Sequence, residues 1–245
     1  MDKFKKNTRT FFDKIAEGIR LEKRKPEDEA SKLELAKVDN FLSLPQKSSI
    51  IELGCGIGRF VMYLLKRGYQ VTGVDISRKS LNFLNQRSQK EGLNKNLKLV
   101  LNDFQKPVFE KKFNAGLCIS TFHLLASKEE ERIKILLNLY KSLKPDGMLL
   151  IIEPNPLNIF FYPFYFFHPK TQWNIEKHFL KSNEKNLRRI FRRLGLKDIK
   201  VDYFGFLPNR LINVFPFVNK INYNLNKMPL VKKFSAFIFI RGVKQ

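Results

Sequence analysis

Short apolar runs alternate with amphipathic segments between residues 49 and 153 of this 245-residue chain. The runs are apolar almost throughout, which is typical of strands buried on both faces of a sheet. Between them, apolar positions recur at helical spacing, and Gly68 and Gly92 stand where a left-handed residue commonly ends a helix. This alternation predicts an α/β domain with a doubly wound, Rossmann-like and mostly parallel sheet. The predicted core strands are residues 50–53, 70–74, 97–101, 115–119 and 148–152.

The pattern changes on both sides of this core. Residues 1–24 place phenylalanine and isoleucine at roughly helical spacing among lysine and arginine, which predicts a basic amphipathic helix. Residues 154–179 are rich in aromatics and proline, and closing strands are predicted at 199–204 and 234–240. We therefore expect about seven strands in a single domain without an internal linker. Its predicted parts are an N-terminal helical extension at 1–45, a cofactor-binding core at 46–153, and an insert with closing strands at 154–245.

A glycine-rich loop, Glu52-Leu53-Gly54-Cys55-Gly56-Ile57-Gly58, follows the first predicted strand. Glycines let a backbone approach a ligand closely, and the start of the following helix offers free N–H groups. The third glycine comes one residue earlier than in the G-x-G-x-x-G pattern of dinucleotide enzymes, which disfavours a nicotinamide cofactor. A plain tight turn without a ligand is the alternative.

Acidic residues end the next two predicted strands. Asp75 follows Gly54 by a little over twenty residues, where a carboxylate can accept both hydroxyls of a ribose. Asp103 lies where an adenine amino group would be met, and Phe104 is available to pack on the ring. Because ligands of open α/β sheets bind beyond the carboxyl ends of the strands, these residues and the glycine loop are expected to converge on one crevice.

The core resembles the class I S-adenosylmethionine-dependent methyltransferases, in particular the type 11-like methyltransferase domain. The resemblance rests on five motifs in order, at residues 51–58, 74–77, 102–104, 116–124 and 143–149. It implies S-adenosyl-L-methionine as the cofactor and a methyltransferase activity. The cofactor-binding residues that it implies are Glu52, Gly54, Cys55, Gly56, Gly58, Asp75, Ile76, Asn102, Asp103, Phe104 and Ser120.

Two residues are candidates for a catalytic base. His123 follows the fourth predicted strand, where the methyl group is expected, and histidine titrates near neutrality. Glu153 ends the fifth predicted strand and is the second candidate. A packed histidine with one hydrogen bond is the structural alternative for His123. No paired His/Cys cluster has metal-ligand spacing, so no metal is expected.

The chain carries a formal net charge of +23. Such an excess favours contact with an anionic partner, although a lysine-rich source composition explains it equally well. Cys55 and Cys118 lie in apolar, strand-like contexts, which fits a reducing cytoplasm. Residues 1–20 lack the apolar centre of a signal peptide. We expect a cytoplasmic protein that could also associate peripherally with a membrane.

The methyl acceptor is left open by the sequence. The insert after the fifth strand covers the acceptor in many members of the family, and its aromatic run at 157–167 could serve as a packed lid or as a surface resting on an anionic membrane. His168 and His178 could line the acceptor pocket. We expect O-methylation of a glycan, lipid-linked or other small-molecule acceptor. The alternatives are a nucleic-acid methyltransferase, which is disfavoured because the aromatics cluster apart from the arginines, and a non-catalytic cofactor-binding module.

Overall fold

The computed structural model describes residues 2–19, 29–160, 162, 172–206, 224–225, 228 and 230–245. Within these residues, seven strands form one sheet in the order β3-β2-β1-β4-β5-β7-β6. The strands are β1 (Ser49–Leu53), β2 (Gln70–Asp75), β3 (Leu97–Leu101), β4 (Phe113–Ile119), β5 (Leu143–Pro154), β6 (Lys197–Phe204) and β7 (Phe237–Val243).

The first five strands run parallel to one another, and β7 runs antiparallel to both of its neighbours. The predicted α/β class, the mostly parallel sheet and the strand number are therefore confirmed. The fifth strand is longer than predicted because it begins directly at the end of the preceding helix and continues through Glu153 to Pro154.

Helices pack on both faces of the sheet, and one apolar core lies against each face. Ser77 caps α4 by accepting a hydrogen bond from the backbone N–H of Ser80. Asn183 caps α7 in the same way through the N–H of Asn186. The helices are α1 (Lys3–Glu17), α2 (Glu29–Leu42), α3 (Arg59–Lys66), α4 (Arg78–Lys90), α5 (Glu129–Ser142), α6 (Trp173–Glu176) and α7 (Glu184–Arg193).

The amphipathic helix α1 lies across the carboxyl edge of the sheet. Its Asp13 accepts a hydrogen bond from Ser77 at 2.5 Å, and its Glu17 forms an ion pair with Lys79. The helix is shorter than predicted, since it ends at Glu17, and residues 20–28 lie outside the described residues. Its position gives the N-terminal extension a direct part in the crevice described below.

None of the helices described here is long and apolar enough to span a membrane.

Candidate functional site

A cavity of about 300 Å³ opens at the carboxyl edge of β1, β2, β3 and β4, beneath α1. Its position is the one where ligands bind in open α/β sheets. Nine of the predicted cofactor-binding residues line it: Glu52, Gly54, Cys55, Gly56, Asp75, Ile76, Asn102, Asp103 and Ser120.

At two glycines of the loop after β1, Gly54 and Gly56, the side chain of another residue would take up space that is free in this structure or held by a neighbour. Gly56 has a φ of +51° and meets no atom within 4 Å of where a Cβ would stand. A Cβ on Gly54, by contrast, would come within 2.1 Å of the Thr121 side chain. Gly54 therefore permits the close approach of β1 to the segment after β4, and Gly56 keeps the cavity floor open to a ligand.

Glu52 places an unpartnered carboxylate oxygen in this cavity. Its side chain is buried, and its Oε2 has no hydrogen-bond partner among the described residues. Burial, with a contribution from Asp75, raises its pKa to about 8. An orphaned buried oxygen is costly unless a ligand satisfies it, so this group fits a positively charged partner.

Two further acidic residues face the cavity from β2 and β3. Asp75 accepts hydrogen bonds from the backbone N–H of Gly56 and of Ser77, each at 2.8 Å. Burial raises the pKa of Asp75 in spite of these donors. Asp103 lies at the end of β3 and forms an ion pair with Lys5 of α1 at 3.2 Å.

The helix α1 forms one wall of the cavity, which the sequence did not indicate. Lys5, Thr8, Phe12 and Ile15 all line it. Phe12 and Ile15 belong to the apolar stripe that predicted the helix, but the spacing alone does not tell what the stripe covers. Part of the apolar side of α1 therefore faces the cavity.

Two predicted cofactor-binding residues do not line the cavity. Phe104 has a φ of +57° and is fully buried in the core, where its carbonyl accepts a hydrogen bond from Asn138. Its ring is therefore not placed to pack on a ligand in the cavity. Gly58 adopts a φ of +80° at the start of α3, where a Cβ would come within 2.2 Å of Leu84. Its role in this structure is to let the loop turn into the helix.

The two candidate bases lie together behind the cavity wall. His123 Nδ1 is 2.6 Å from Glu153 Oε2, and His123 Nε2 is 3.1 Å from an oxygen of Glu176 in α6. Glu153 also accepts hydrogen bonds from Ser182 and from the backbone N–H of Phe122. Burial lowers the pKa of His123, but the adjacent Glu153 and Glu176 outweigh it and bring the pKa to about 9.

This geometry does not fit the predicted catalytic roles. A protonated imidazole with both nitrogens donating to carboxylates has no lone pair with which to accept a proton from a substrate. Glu153 is equally committed, and neither residue lines the cavity. The pair instead ties the segment after β4 to the end of β5 and to α6.

The other candidate histidines are placed differently. His168 and most of the aromatic run at 157–167 lie outside the described residues. His178 contacts the ring of Phe4 in α1, with ring centroids 5.2 Å apart, and does not line the cavity. Burial, with nearby cations such as Arg132, lowers the pKa of His178 to about 4.

The part of the chain that the structure describes contains no group of three or more His, Cys, Asp or Glu side chains able to hold a metal ion.

Residues 50–147 match the methyltransferase domain family. They form a class I S-adenosylmethionine-dependent methyltransferase domain. The predicted family and its cofactor, S-adenosyl-L-methionine, are thereby confirmed. The orphaned oxygen of Glu52 and the open floor at Gly56 also fit that cofactor, because it carries positive charge and needs close backbone approach.

Individual relatives extend the comparison. The putative methyltransferase YqeM of Bacillus subtilis is 31% identical over 110 residues, which cover 44% of this chain and 43% of that protein. The aligned part of the chain thus spans less than half the length of that relative. The ubiquinone biosynthesis O-methyltransferase of Rickettsia prowazekii is 24% identical over 213 residues, with 76% of this chain and 79% of that protein covered.

Among solved structures, the phosphoethanolamine N-methyltransferase 2 of Haemonchus contortus, in complex with S-adenosyl-L-methionine, has the same fold. The TM-score is 0.61 at 19% identity, with 87% of this chain and 52% of that chain covered. The names of the last two proteins refer to different acceptors. The comparisons therefore establish the methyltransferase domain but not the acceptor of the methyl group.

Proposed function

We propose that this protein transfers a methyl group from S-adenosyl-L-methionine to an acceptor with an apolar body, of the lipid-linked or small-molecule class. The single observation that carries the proposal is the division of the cavity wall. Acidic and glycine residues line it at the ends of β1, β2 and β3. Mostly apolar side chains, with Lys5, Thr8, Ser120 and Thr121 between them, line it after β4 and along α1.

The acidic side is the proposed cofactor site. Glu52 would face the positively charged methionine part, Asp75 the ribose, and Asn102 with Asp103 the adenine. Gly54, Cys55, Gly56, Ile76 and Ser120 would form the backbone cradle around it. Bound there, the cofactor supplies a methyl group already activated by its sulfonium.

The apolar side is the proposed acceptor site. Ile119, Leu124 and Leu125 come from β4 and the segment after it, and Phe12 and Ile15 come from α1. Such walls bury an apolar surface well but offer few partners for the many hydroxyls of a free glycan. This favours a lipid-linked or aromatic acceptor over a glycan without a lipid.

Catalysis in this cavity would depend on how the acceptor and the cofactor are positioned, and not on a base supplied by the protein. Holding the attacking atom in line with the methyl carbon, in a cavity that α1 partly covers, can supply much of the rate of such a displacement. Because neither His123 nor Glu153 lines the cavity, the attacking oxygen is proposed to be one that ionises readily without them, such as a phenol or an acid.

Methyl transfer can be followed with cofactor labelled in its methyl group. We expect label from the purified protein to enter the organic phase of a cell extract, and not purified RNA or DNA. Asp75→Ala should lose this transfer, whereas Glu110→Ala, which removes an exposed carboxylate away from the cavity, should keep it. Label appearing only in nucleic acid would support the alternative acceptor class, and tight cofactor binding without transfer to any extract would support a non-catalytic module.

A further inference from the structure

The most exposed large apolar side chains of the described residues lie in two short segments. They stand just after β5 and just before β7, and are called here the apolar tip. Its members are Leu157, Ile159, Met228, Leu230 and Phe234, with exposed fractions of 53%, 70%, 51%, 79% and 49%.

Hydrogen bonds from buried asparagines fix the two segments to each other. Asn155 donates to the carbonyls of Lys233 and Ser235 at 2.8 and 2.7 Å. Asn158 donates to the carbonyl of Phe234 at 2.7 Å and to that of Phe206 at 3.0 Å. Both asparagine side chains are buried. Leu157 and Ile159 thus project from an anchored turn.

The apolar tip belongs to the same edge of the molecule as the cavity. It follows the carboxyl end of β5, the strand that pairs with β4. The opposite segment enters β7, which runs antiparallel to β5 and therefore begins at that edge. A surface that bound the tip would lie on the side where ligands enter the methyltransferase domain.

Basic residues outnumber acidic ones around the tip. Asp202 is the last acidic residue of the chain, and residues 154–175 contain none. Lys232 and Lys233 precede Phe234 directly; Lys233 is exposed, and Lys232 forms an ion pair with Asp202 at 3.5 Å. On the same edge, α1 exposes lysine and arginine side chains that form no ion pair with the described residues, namely Lys3, Lys6, Arg9 and Lys14.

We propose that the apolar tip inserts into an anionic lipid bilayer, with Lys232, Lys233 and the outer face of α1 held at the headgroups. Aliphatic side chains exposed by half or more lose their contact with water on insertion, and lysines gain from anionic lipid. A nucleic acid would satisfy the lysines but offers no apolar interior for Leu230 and Ile159. Docking goes beyond the proposed function, since it concerns a surface rather than the cavity, and it would bring a lipid-linked acceptor to the cavity edge.

Vesicle sedimentation tests this proposal. The probes are vesicles of phosphatidylcholine alone and of phosphatidylcholine mixed with phosphatidylglycerol. The protein should sediment with the mixed vesicles, much less with the neutral ones, and high salt should release only part of it because apolar insertion is insensitive to screening.

Paired variants separate the two contributions. Ile159→Ser with Leu230→Ser should weaken binding by about tenfold or more and make the remainder fully salt-sensitive. Lys232→Gln with Lys233→Gln should weaken binding about tenfold at low salt and little at high salt. The matched control, Val108→Ser with Leu137→Ser, removes two apolar side chains that are each 36% exposed outside the tip, and should bind as the parent does.

Three results would overturn the proposal. They are a protein that stays in the supernatant with anionic vesicles at low salt, binding that high salt abolishes completely in the parent, and equal losses in the tip and control variants. Calorimetry of cofactor binding is expected to be unchanged in every variant, so failure of docking is distinguishable from failure of the methyltransferase assignment.

Discussion

The imidazole of His123 lies 2.6 Å from the carboxylate of Glu153, and neither side chain is exposed to solvent. Each side chain is a hydrogen-bond partner of the other, and Glu176 is the partner of the second ring nitrogen of His123. The contact joins the segment after β4, which carries cavity residues Thr121, Leu124 and Leu125, to the end of β5. We infer that His123 is a positioning residue, and this inference has measurable consequences for stability.

Replacing His123 with Gln should destabilise the fold by about 3–5 kcal/mol, because it leaves Glu153 buried without its charged partner. The pKa of His123 is raised from 6.5 to about 9 in the folded state. Its stabilisation is therefore complete below the unfolded pKa and is lost as the pH rises through about 9. The stability difference between parent and variant, measured by urea unfolding, should shrink between neutral and strongly alkaline pH.

A conservative variant provides the control for this experiment. Ser182→Ala removes a different donor to Glu153 and should cost less, without the pH dependence. A His123→Gln protein with parental stability at neutral pH and a turnover about a hundredfold lower would instead restore His123 as a base.

Gly56→Val should abolish cofactor binding. The side chain would project into the open cavity from a backbone with a φ of +51°. Gly92→Val is the matched control, because Gly92 also has a positive φ, +69°, and open space around it, but lies outside the cavity. Both variants should lose a similar 1–2 kcal/mol or so of stability from the left-handed backbone. Calorimetric titration with the cofactor should separate them, and equal affinities would refute the placement of the cofactor on this loop.

Cofactor affinity should fall as the pH is lowered below about 8. Burial raises the pKa of Glu52 to about 8, so the free protein holds a neutral carboxyl at lower pH. A positively charged cofactor favours the carboxylate, and binding should therefore release a proton. Titrations in buffers of different ionisation enthalpy measure this release directly. Glu52→Gln should bind more weakly than the parent and with no dependence on pH in this range, whereas an unchanged pH profile would assign the proton to another group.

The core of the fold was predictable because its signals are local. Apolar runs such as that of β4 show burial on both faces, and Gly54 and Asp75 mark the ends of adjacent strands in positions that the parallel topology brings together. Nine predicted residues therefore line one cavity. The left-handed φ of Phe104 is a detail that sequence does not convey, and it turns the ring into the core.

The predicted catalytic roles of His123 and Glu153 do not fit the structure because of contacts with residues that are distant in sequence. Glu153 and Glu176 follow His123 by 30 and 53 residues, and nothing in the local pattern around His123 points to either. The local pattern likewise gives no sign that Arg189 and Arg193 of α7 pair with Glu129 and Glu130 of α5. The amphipathic pattern predicted that α1 is a helix. It could not predict whether the apolar side of this helix contacts a membrane or lines a cavity.

The position of α1 leads to a prediction about Lys5, whose side chain is 3% exposed and reaches Asp103. Lys5→Met should keep the packing of the aliphatic part of the side chain and remove the ion pair. Since Asp103 is 36% exposed, the loss should be modest, about 1 kcal/mol or less. We expect the amide hydrogens of α1 to exchange up to about fivefold faster, as measured by mass spectrometry, while those of β1 and β4 are unchanged.

Lys6→Met is the control, because Lys6 is exposed on the outer face of the same helix and should leave exchange as in the parent. The cofactor should slow exchange of α1 in the parent, since Thr8, Phe12 and Ile15 line the cavity that it would fill. Lys5→Met should retain that protection, because these contacts do not involve the ion pair. Exchange of α1 that is indifferent both to the cofactor and to Lys5 would mean that the helix does not cover the cavity in solution, and the covering role proposed for it would have to be abandoned.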